Sequence, residues 1–375
     1  MIRYLNLAGL SLLPIYLWGS GGVQLSHLAF AAAIALFLVQ FNIRLIGAES
    51  LLLALAFVVA MRESFSVLEG ESPLALMNIL YIIFSIGVFN LFRRWLPRNG
   101  SLRLSSRGML FAVAIAVAGV MIKGYGLTVD AEGERAIGTF NNPNQLGYFA
   151  VCIFSISGLL YLGRAISPRI MLIMVAGSIF LAVASLSKAA MIGVAFGALF
   201  IGYASSESKR RFVIGSLIGG AVVAGSMILY QSGYLDNLQF VQRLIAIGGD
   251  SDDSIAGRGY DAVFEMGATE LLIGFGAEGA KSIIGHEVHS TFASFFINYG
   301  VVGGSLFLAF HLAWARRLWR QGGLTTLAVV AAPAMLYGLT HNGSRFTIYW
   351  VLLAMSFAFP VATLRVPRPV AGSRG

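Results

Sequence analysis

Apolar runs of bilayer length follow one another along most of the chain, separated by short polar breaks. They fall near residues 4–19, 26–41, 46–61, 73–92, 108–127, 144–163, 169–186, 189–204, 212–231, 289–315, 323–340 and 346–364. A helix needs roughly 17–25 apolar residues to cross the hydrocarbon core, so the pattern predicts about twelve transmembrane helices, or about eleven if one of the weaker runs (the third or the eighth) does not cross. Backbone groups in lipid must be satisfied within their own segment, and no run shows the alternation of a membrane barrel. The predicted fold is therefore an all-α polytopic transmembrane helix bundle. Residues 1–375 read as a single integral membrane domain.

One polar interval is much longer than the rest, the loop 232–288. Within it Tyr260, Val263, Phe264, Gly267 and Leu271 recur at helical spacing, which predicts an amphipathic helix over 258–271. Leu235, Leu238, Val241, Leu244 and Ile245 predict another over 234–246. Gly248-Gly249 and Gly274-Phe275-Gly276 punctuate these segments. A loop of this length that builds its own helices reads as a cover over a site, not as a linker.

Composition strengthens the membrane reading. The chain is 57% hydrophobic and 11% charged, where soluble domains carry about a quarter charged residues. Arg3 precedes the first apolar run, but Leu17-Trp18-Gly19-Ser20-Gly21 lacks a small-x-small cleavage pattern, so this run is expected to be retained. The lone Cys152 lies inside an apolar run and has no intrachain disulfide partner.

A net charge of +9 raises the question of nucleic acid, and its distribution argues against that. With an N-terminus inside and strict alternation, 18 of the 26 basic residues fall on one side, among them Arg93, Arg94, Arg98, Arg164, Arg169, Arg316, Arg317 and Arg320. Of the 17 acids only Glu49 and Glu207 share that side. This is the positive-inside signature, and it predicts that both termini are cytoplasmic.

The basic residues that break the bias are the informative ones. Arg135, Lys188, Arg258 and Lys281, with His286, His289 and His341, fall on or near the opposite face and come from separate connections. Cations converging at one membrane face suit an anionic group such as a phosphate or pyrophosphate. Plainer explanations stand beside this one. Arg135 follows Asp130, Glu132 and Glu134, Arg258 is one helical turn from Asp261, and Lys188 can snorkel. Lys281 reads as solvated. His286 and His289 form an H-x-x-H that would share one helix face, yet no third ligand at motif spacing supports a metal. No metal or other cofactor is expected. His289, at the start of an apolar run, is the better general-base candidate because imidazole titrates near neutrality. His27 and His311 read as structural.

A second feature is the amide-rich stretch Arg135-Ala136-Ile137-Gly138-Thr139-Phe140-Asn141-Asn142-Pro143-Asn144-Gln145-Leu146-Gly147. Asn144 is expected to cap the sixth helix, and Asn142, before a proline, to be extended. Such a helix start offers amides to sugar hydroxyls. It equally makes a turn and cap.

That stretch resembles the R-x-x-G-x-F-x-N-P-N segment of the O-antigen ligase and polymerase superfamily. Three others resemble family motifs in order and spacing. Ser185-Leu186-Ser187-Lys188-Ala189 is similar to the S-x-S-R-x turn, and Gly257-Arg258 with Gly274-Phe275-Gly276 to the G-R … G-x-G loop. His289-Ser290-Thr291-Phe292 followed by Tyr299-Gly300-Val301-Val302-Gly303 is similar to the H-N-x-x-L … G-x-x-G helix. The resemblance runs from about residue 108 to 345, with Lys188 where arginine is usual and Ser290 where asparagine commonly follows the histidine.

The resemblance implies an inverting, metal-independent membrane glycosyltransferase in the bacterial inner membrane. Its donor would be a glycan on undecaprenyl pyrophosphate, met at the periplasmic face. The acceptor would be a second glycan or lipid A-core, and a chain-length regulator protein is a possible further partner beside the membrane lipid. In this reading Arg135 and Arg258 meet the pyrophosphate, with Lys188 beside them, and His289 is the base or a leaving-group contact. Asn142, Asn144 and His341 complete the substrate site. Polymerisation of O-antigen or exopolysaccharide repeat units leads, and ligation to lipid A-core or to protein is the alternative. A transporter or flippase for lipid-linked sugar is the rival of another class. It predicts ionisable groups near the midplane and repeated halves with broken helices, whereas the charges here gather at one face.

Overall fold

The computed structural model describes residues 1–19, 22–40, 47–70, 72–98, 100–123, 135–206, 208, 210, 212–214, 216 and 257–359. The ninth apolar run, the expected helix at 234–246, Gly248-Gly249 and the polar tail lie wholly or almost wholly outside the described residues. Among those described, helix is the regular structure and no strand occurs. The elements are α1 (Ile2–Ser11), α2 (Leu25–Gln40), α3 (Ala48–Leu68), α4 (Ala75–Trp95), α5 (Ser101–Lys123), α6 (Pro143–Leu162), α7 (Pro168–Ala184) and α8 (Lys188–Ser205). After the undescribed stretch come a 3-10 turn (Tyr260–Glu265), α9 (Ala268–Ile273), α10 (Ala277–Ile284), α11 (Thr291–Thr326), a π turn (Leu327–Ala331), α12 (Ala332–Thr340) and α13 (Thr347–Ala358). By length and composition α3, α4, α5, α6 and the run Thr291–Thr340 are long and apolar enough to cross a membrane, and α2, α7, α8 and α13 are shorter apolar helices. The all-α membrane bundle is the fold that the hydropathy pattern predicts.

The bundle is organised around α6. Of its most apolar stretch 94% is buried inside the protein, as expected for a helix that is hydrophobic all round. Helices α5, α7, α8, α12 and α13 pack against it. Peripheral helices instead expose large apolar side chains such as Phe57, Ile83, Phe111, Leu172 and Leu312, a surface that suits lipid. Gly147 lets α6 approach the turn before α8, because a Cβ there would lie 2.9 Å from Ser187 Cβ and 3.0 Å from Ser185 Oγ.

Four expectations are corrected. Helix α1 stops at Ser11 and does not run through residues 4–19, because Pro14 lacks an N–H and ends the helix. The helix expected over 258–271 splits into the 3-10 turn and α9 at Gly267, whose extended backbone starts α9. Asn142, not Asn144, caps α6: its side chain accepts from the Gln145 N–H at 2.8 Å, and Pro143 at the first helical position holds it extended. The run at 289–315 begins as α11 but breaks at Tyr299 and Gly300, where Gly300 takes φ +63°.

This last break places the loop. Phe275 N–H donates to Ile297 C=O at 3.0 Å and Gly276 N–H to Asn298 C=O at 2.8 Å, so Gly274-Phe275-Gly276 lies directly on the interrupted helix. A Cβ on Gly274 would fall 2.2 Å from the Asn298 carbonyl carbon, and one on Gly300 2.3 Å from that of Leu272. The two glycines thus let two backbones touch. Arg62 of α3 locks the arrangement, donating from Nε to Gly274 C=O at 2.9 Å and from a terminal nitrogen to Phe275 C=O at 2.6 Å. Glu63 accepts from Ala277 N–H at 3.2 Å and from the Tyr299 hydroxyl at 2.8 Å.

Candidate functional site

The ends of α1, α3, α7 and α12 and the starts of α2, α4, α6, α8, α11 and α13 meet at one end of the bundle, beneath the described part of the loop. A cavity of about 290 Å³ opens there. Asn142, Asn144, His289 and His341 line it, together with Gln145, Tyr337 and Arg345. Four of the seven residues singled out in the sequence therefore face one space, although they lie up to about two hundred positions apart.

Arg135 stands directly behind Asn144. Its Nε donates to Ser185 C=O at 3.0 Å and a terminal nitrogen to Asn144 Oδ1 at 2.8 Å. The Asn144 C=O accepts from the Tyr337 hydroxyl at 2.6 Å. Ser185 belongs to a tight turn in which Leu186 takes φ +50°, a costly conformation for a branched residue, and Ser187 N–H donates to Ser185 Oγ at 3.2 Å. That turn leads into Lys188, the first residue of α8, half-buried and next to the Ser187 that neighbours Tyr337.

Arg258 and His289 are paired through the backbone, the His289 N–H donating to Arg258 C=O at 3.1 Å. Gly259, at φ +72°, turns the chain between the Arg258 pairing and the 3-10 turn. The Arg258 guanidinium donates to Thr340 C=O, beside His341, and the Tyr260 hydroxyl donates to Leu339 C=O. Tyr337 is within electrostatic reach of both Arg135 and Arg258. His289 itself is exposed to the cavity. Its ring stacks on His286 with centroids 5.2 Å apart and planes 10° from parallel. The H-x-x-H is not helical, so the shared helix face expected for it is replaced by stacking in an irregular segment that precedes α11. Ser290, in the place of the family's asparagine, caps α11: its Oγ accepts from Ala293 N–H at 3.3 Å and donates to Gly338 C=O at 3.3 Å.

His341 is held from two sides. Its C=O accepts from Thr291 Oγ1 at 2.9 Å, Nδ1 lies 2.9 Å from Thr340 Oγ1, and the ring leans on Tyr337 at 4.6 Å between centroids. Lys281 is exposed on α10, as its loop position suggests. Asp130, Glu132 and Glu134, offered as partners of Arg135, lie outside the described residues.

The structure adds Arg345, Tyr337 and His27 to the wall. Arg345 pairs with Glu287 at 2.6 Å. Its surroundings desolvate it, which lowers its pKa, but the Glu287 carboxylate outweighs this and holds the guanidinium above its ordinary range. Its signal was present in the sequence, because it is one of the eight cations that break the inside bias. Tyr337 carried none, since a tyrosine in an apolar helix reads as core. His27, read as structural, lines the cavity while its Nδ1 accepts from Gln24 N–H at 3.1 Å.

The cavity thus offers amides, imidazoles and the Arg345 guanidinium on its wall, with Arg135 bonded to Asn144 and Arg258 backbone-paired to His289. Such a set can hydrogen-bond sugar hydroxyls, hold an oxyanion and accept a proton. A model of the O-antigen ligase family matches residues 170–308, a stretch that contains Lys188, Arg258, Gly274-Phe275-Gly276 and His289. No curated protein matches the chain. Over residues 170–308 the chain is therefore similar to the O-antigen ligase family, in agreement with the motif resemblance to the ligase and polymerase superfamily. Arg135, Asn142, Asn144 and His341 lie outside the matched stretch, and the fold brings them to it. The match and the apolar helices support a membrane protein with a function of O-antigen ligase or polymerase type.

Proposed function

We propose that the protein is an inverting, metal-independent glycosyltransferase of the inner membrane that joins lipid-linked repeat units of a surface polysaccharide. The observation that carries this reading is the single cavity shared by Asn142, Asn144, His289 and His341, with Arg135 bonded to Asn144 and Arg258 backbone-paired to His289. The donor is a glycan on undecaprenyl pyrophosphate presented at the periplasmic face. An acceptor sugar hydroxyl attacks the anomeric carbon while the bond from that carbon to the pyrophosphate oxygen breaks. His289 removes the hydroxyl proton, as a positioned imidazole does in general base catalysis. The pyrophosphate leaves with its charge stabilised by Arg135 and Arg258, and Lys188 adds a longer-range cation. Stabilisation of developing charge by groups already in place is often the largest catalytic contribution. Asn142, Asn144 and His341 position the sugars.

Ligation of the finished glycan to lipid A-core is the second reading, and the name of the matched family favours it. Both use the same donor chemistry. Deleting the gene separates them. Loss of a polymerase leaves single repeats on the acceptor, loss of a ligase leaves long chains on the carrier lipid, and an unchanged glycan profile overturns both. A flippase would instead leave lipid-linked units on the cytoplasmic side.

A further inference from the structure

A second recess, of about 50 Å³, adjoins the cavity and shares Tyr81, Asn342 and Arg345 with it. It runs between α3, α4, α11 and the start of α13, and neither Arg135 nor Arg258 lines it. Its walls carry Asn78, Ser85, Ser294, Asn298, Asn342 and Ser344. Such groups between membrane helices are costly unless bonded, and most are bonded within the protein: Ser294 donates to Thr291 C=O at 3.0 Å, Ser344 Oγ to Asn342 Oδ1 at 2.7 Å, and Asn78 bonds to Glu63. Asn298 Oδ1 is buried without a hydrogen-bond partner among the described residues. Its backbone is fixed, because the Asn298 C=O accepts from Gly276 N–H at 2.8 Å just before the break at Tyr299 and Gly300. Arg345, the cation common to both spaces, is matched by Glu287 at 2.6 Å. The recess therefore presents neutral donors and acceptors and suits an uncharged ligand. A water-sized group needs about 10–15 Å³ of such space, so the recess admits a few non-hydrogen atoms and not a sugar ring.

Building on the proposed glycosyl transfer, we infer that this recess is a specificity pocket for one hydroxyl-bearing arm of a sugar, with Asn298 and Asn78 as the residues that read it. The ring itself stays in the larger cavity, and the arm passes Tyr81 and Asn342. A site built to bond a hydroxyl rejects the analogue that lacks it, since its own buried polar groups are then left unpaired. Donor and acceptor sugars both offer such an arm.

The test uses the full-length protein in lipid nanodiscs with a synthetic lipid-linked donor and a separate acceptor saccharide. Each hydroxymethyl arm is replaced by methyl in turn, first in the acceptor and then in the donor. The wild type is expected to discriminate against one methyl analogue by about ten- to a hundredfold in kcat/KM. Asn298→Leu and, independently, Asn78→Leu should abolish that discrimination while the methyl analogue reacts at its wild-type rate. The substrate whose analogue is discriminated against identifies the source of the arm. Discrimination unchanged in both variants, or a uniform fall for every substrate at unaltered thermal stability, overturns the pocket. If the wild-type protein transfers nothing, the glycosyltransferase reading fails, and the pocket fails with it.

Discussion

The two parts of the described loop do opposite work, although both resemble motifs of one family. Around Gly274-Phe275-Gly276 every contact looks inward: Arg62 donates to two carbonyls of the segment, Glu63 receives Ala277 and Tyr299, and two glycines bring backbones together. Around Arg258 and His289 the backbone is pinned, by the Arg258–His289 pairing and by Ser290 as a cap, while the His289 ring remains exposed in the cavity. The first part is a clamp and the second lines the candidate site. Resemblance alone does not distinguish them, because both need residues that no substitute can match.

That division implies different consequences for mutation, which fall in order of size. Gly274→Ala should do most damage, since a side chain there meets backbone at 2.2 Å and φ is +80°. The protein is expected to lose its folded state, seen as loss of a monodisperse peak and of a thermal transition in detergent. A normal transition would break the clamp. His289→Ala should leave the thermal transition in place but lower kcat by about 10²–10⁴, the usual contribution of a general base. Arg62→Ala should act in the opposite sense, costing about 1–3 kcal/mol of stability for each of the Gly274 and Phe275 carbonyls left without its donor and affecting turnover only through the folded fraction. Arg135→Lys keeps the charge but cannot hold both Ser185 C=O and Asn144 Oδ1. A fall of about tenfold in kcat/KM is expected, read in a donor titration. Lys188→Arg should change least, since it keeps a cation at the start of α8. A clear loss of transfer there would remove Lys188 from the site.

A different comparison shows why cation counts mislead. At the far end of the bundle Glu49 meets Arg93 at 2.9 Å and Arg94 at 3.2 Å, while Arg317 donates to the Phe357 and Phe359 carbonyls at 2.6 and 2.7 Å. Those arginines close helix ends and neutralise a buried acid. The arginines of the site instead hold residues that face a cavity.

The sequence pattern made the spans and the gathering of Arg135, Arg258, His289 and His341 legible, because apolar length and charge placement are direct consequences of a bilayer. It did not reveal the break in α11. Hydropathy reports side chains, and Gly300 breaks the helix through φ. The split of 258–271 at Gly267 escaped for the same reason, since helical spacing continued across it. The stop before Pro14 and the cap at Asn142 were misread as a continuous run and a cap at Asn144, although proline chemistry alone points to both corrections. The recess behind Arg345 was not legible, because Asn78 and Asn298 are isolated amides in apolar surroundings until the fold brings their helices together.

Binding of undecaprenyl pyrophosphate to the nanodisc-held protein tests the central claim most directly, since in the proposed reaction the site holds that leaving group. With Arg135 and Arg258 both replaced by alanine, the Kd should rise by at least about tenfold, as expected when charge-assisted hydrogen bonds to a phosphate are lost. An unchanged Kd in a variant that keeps its thermal transition would contradict the account.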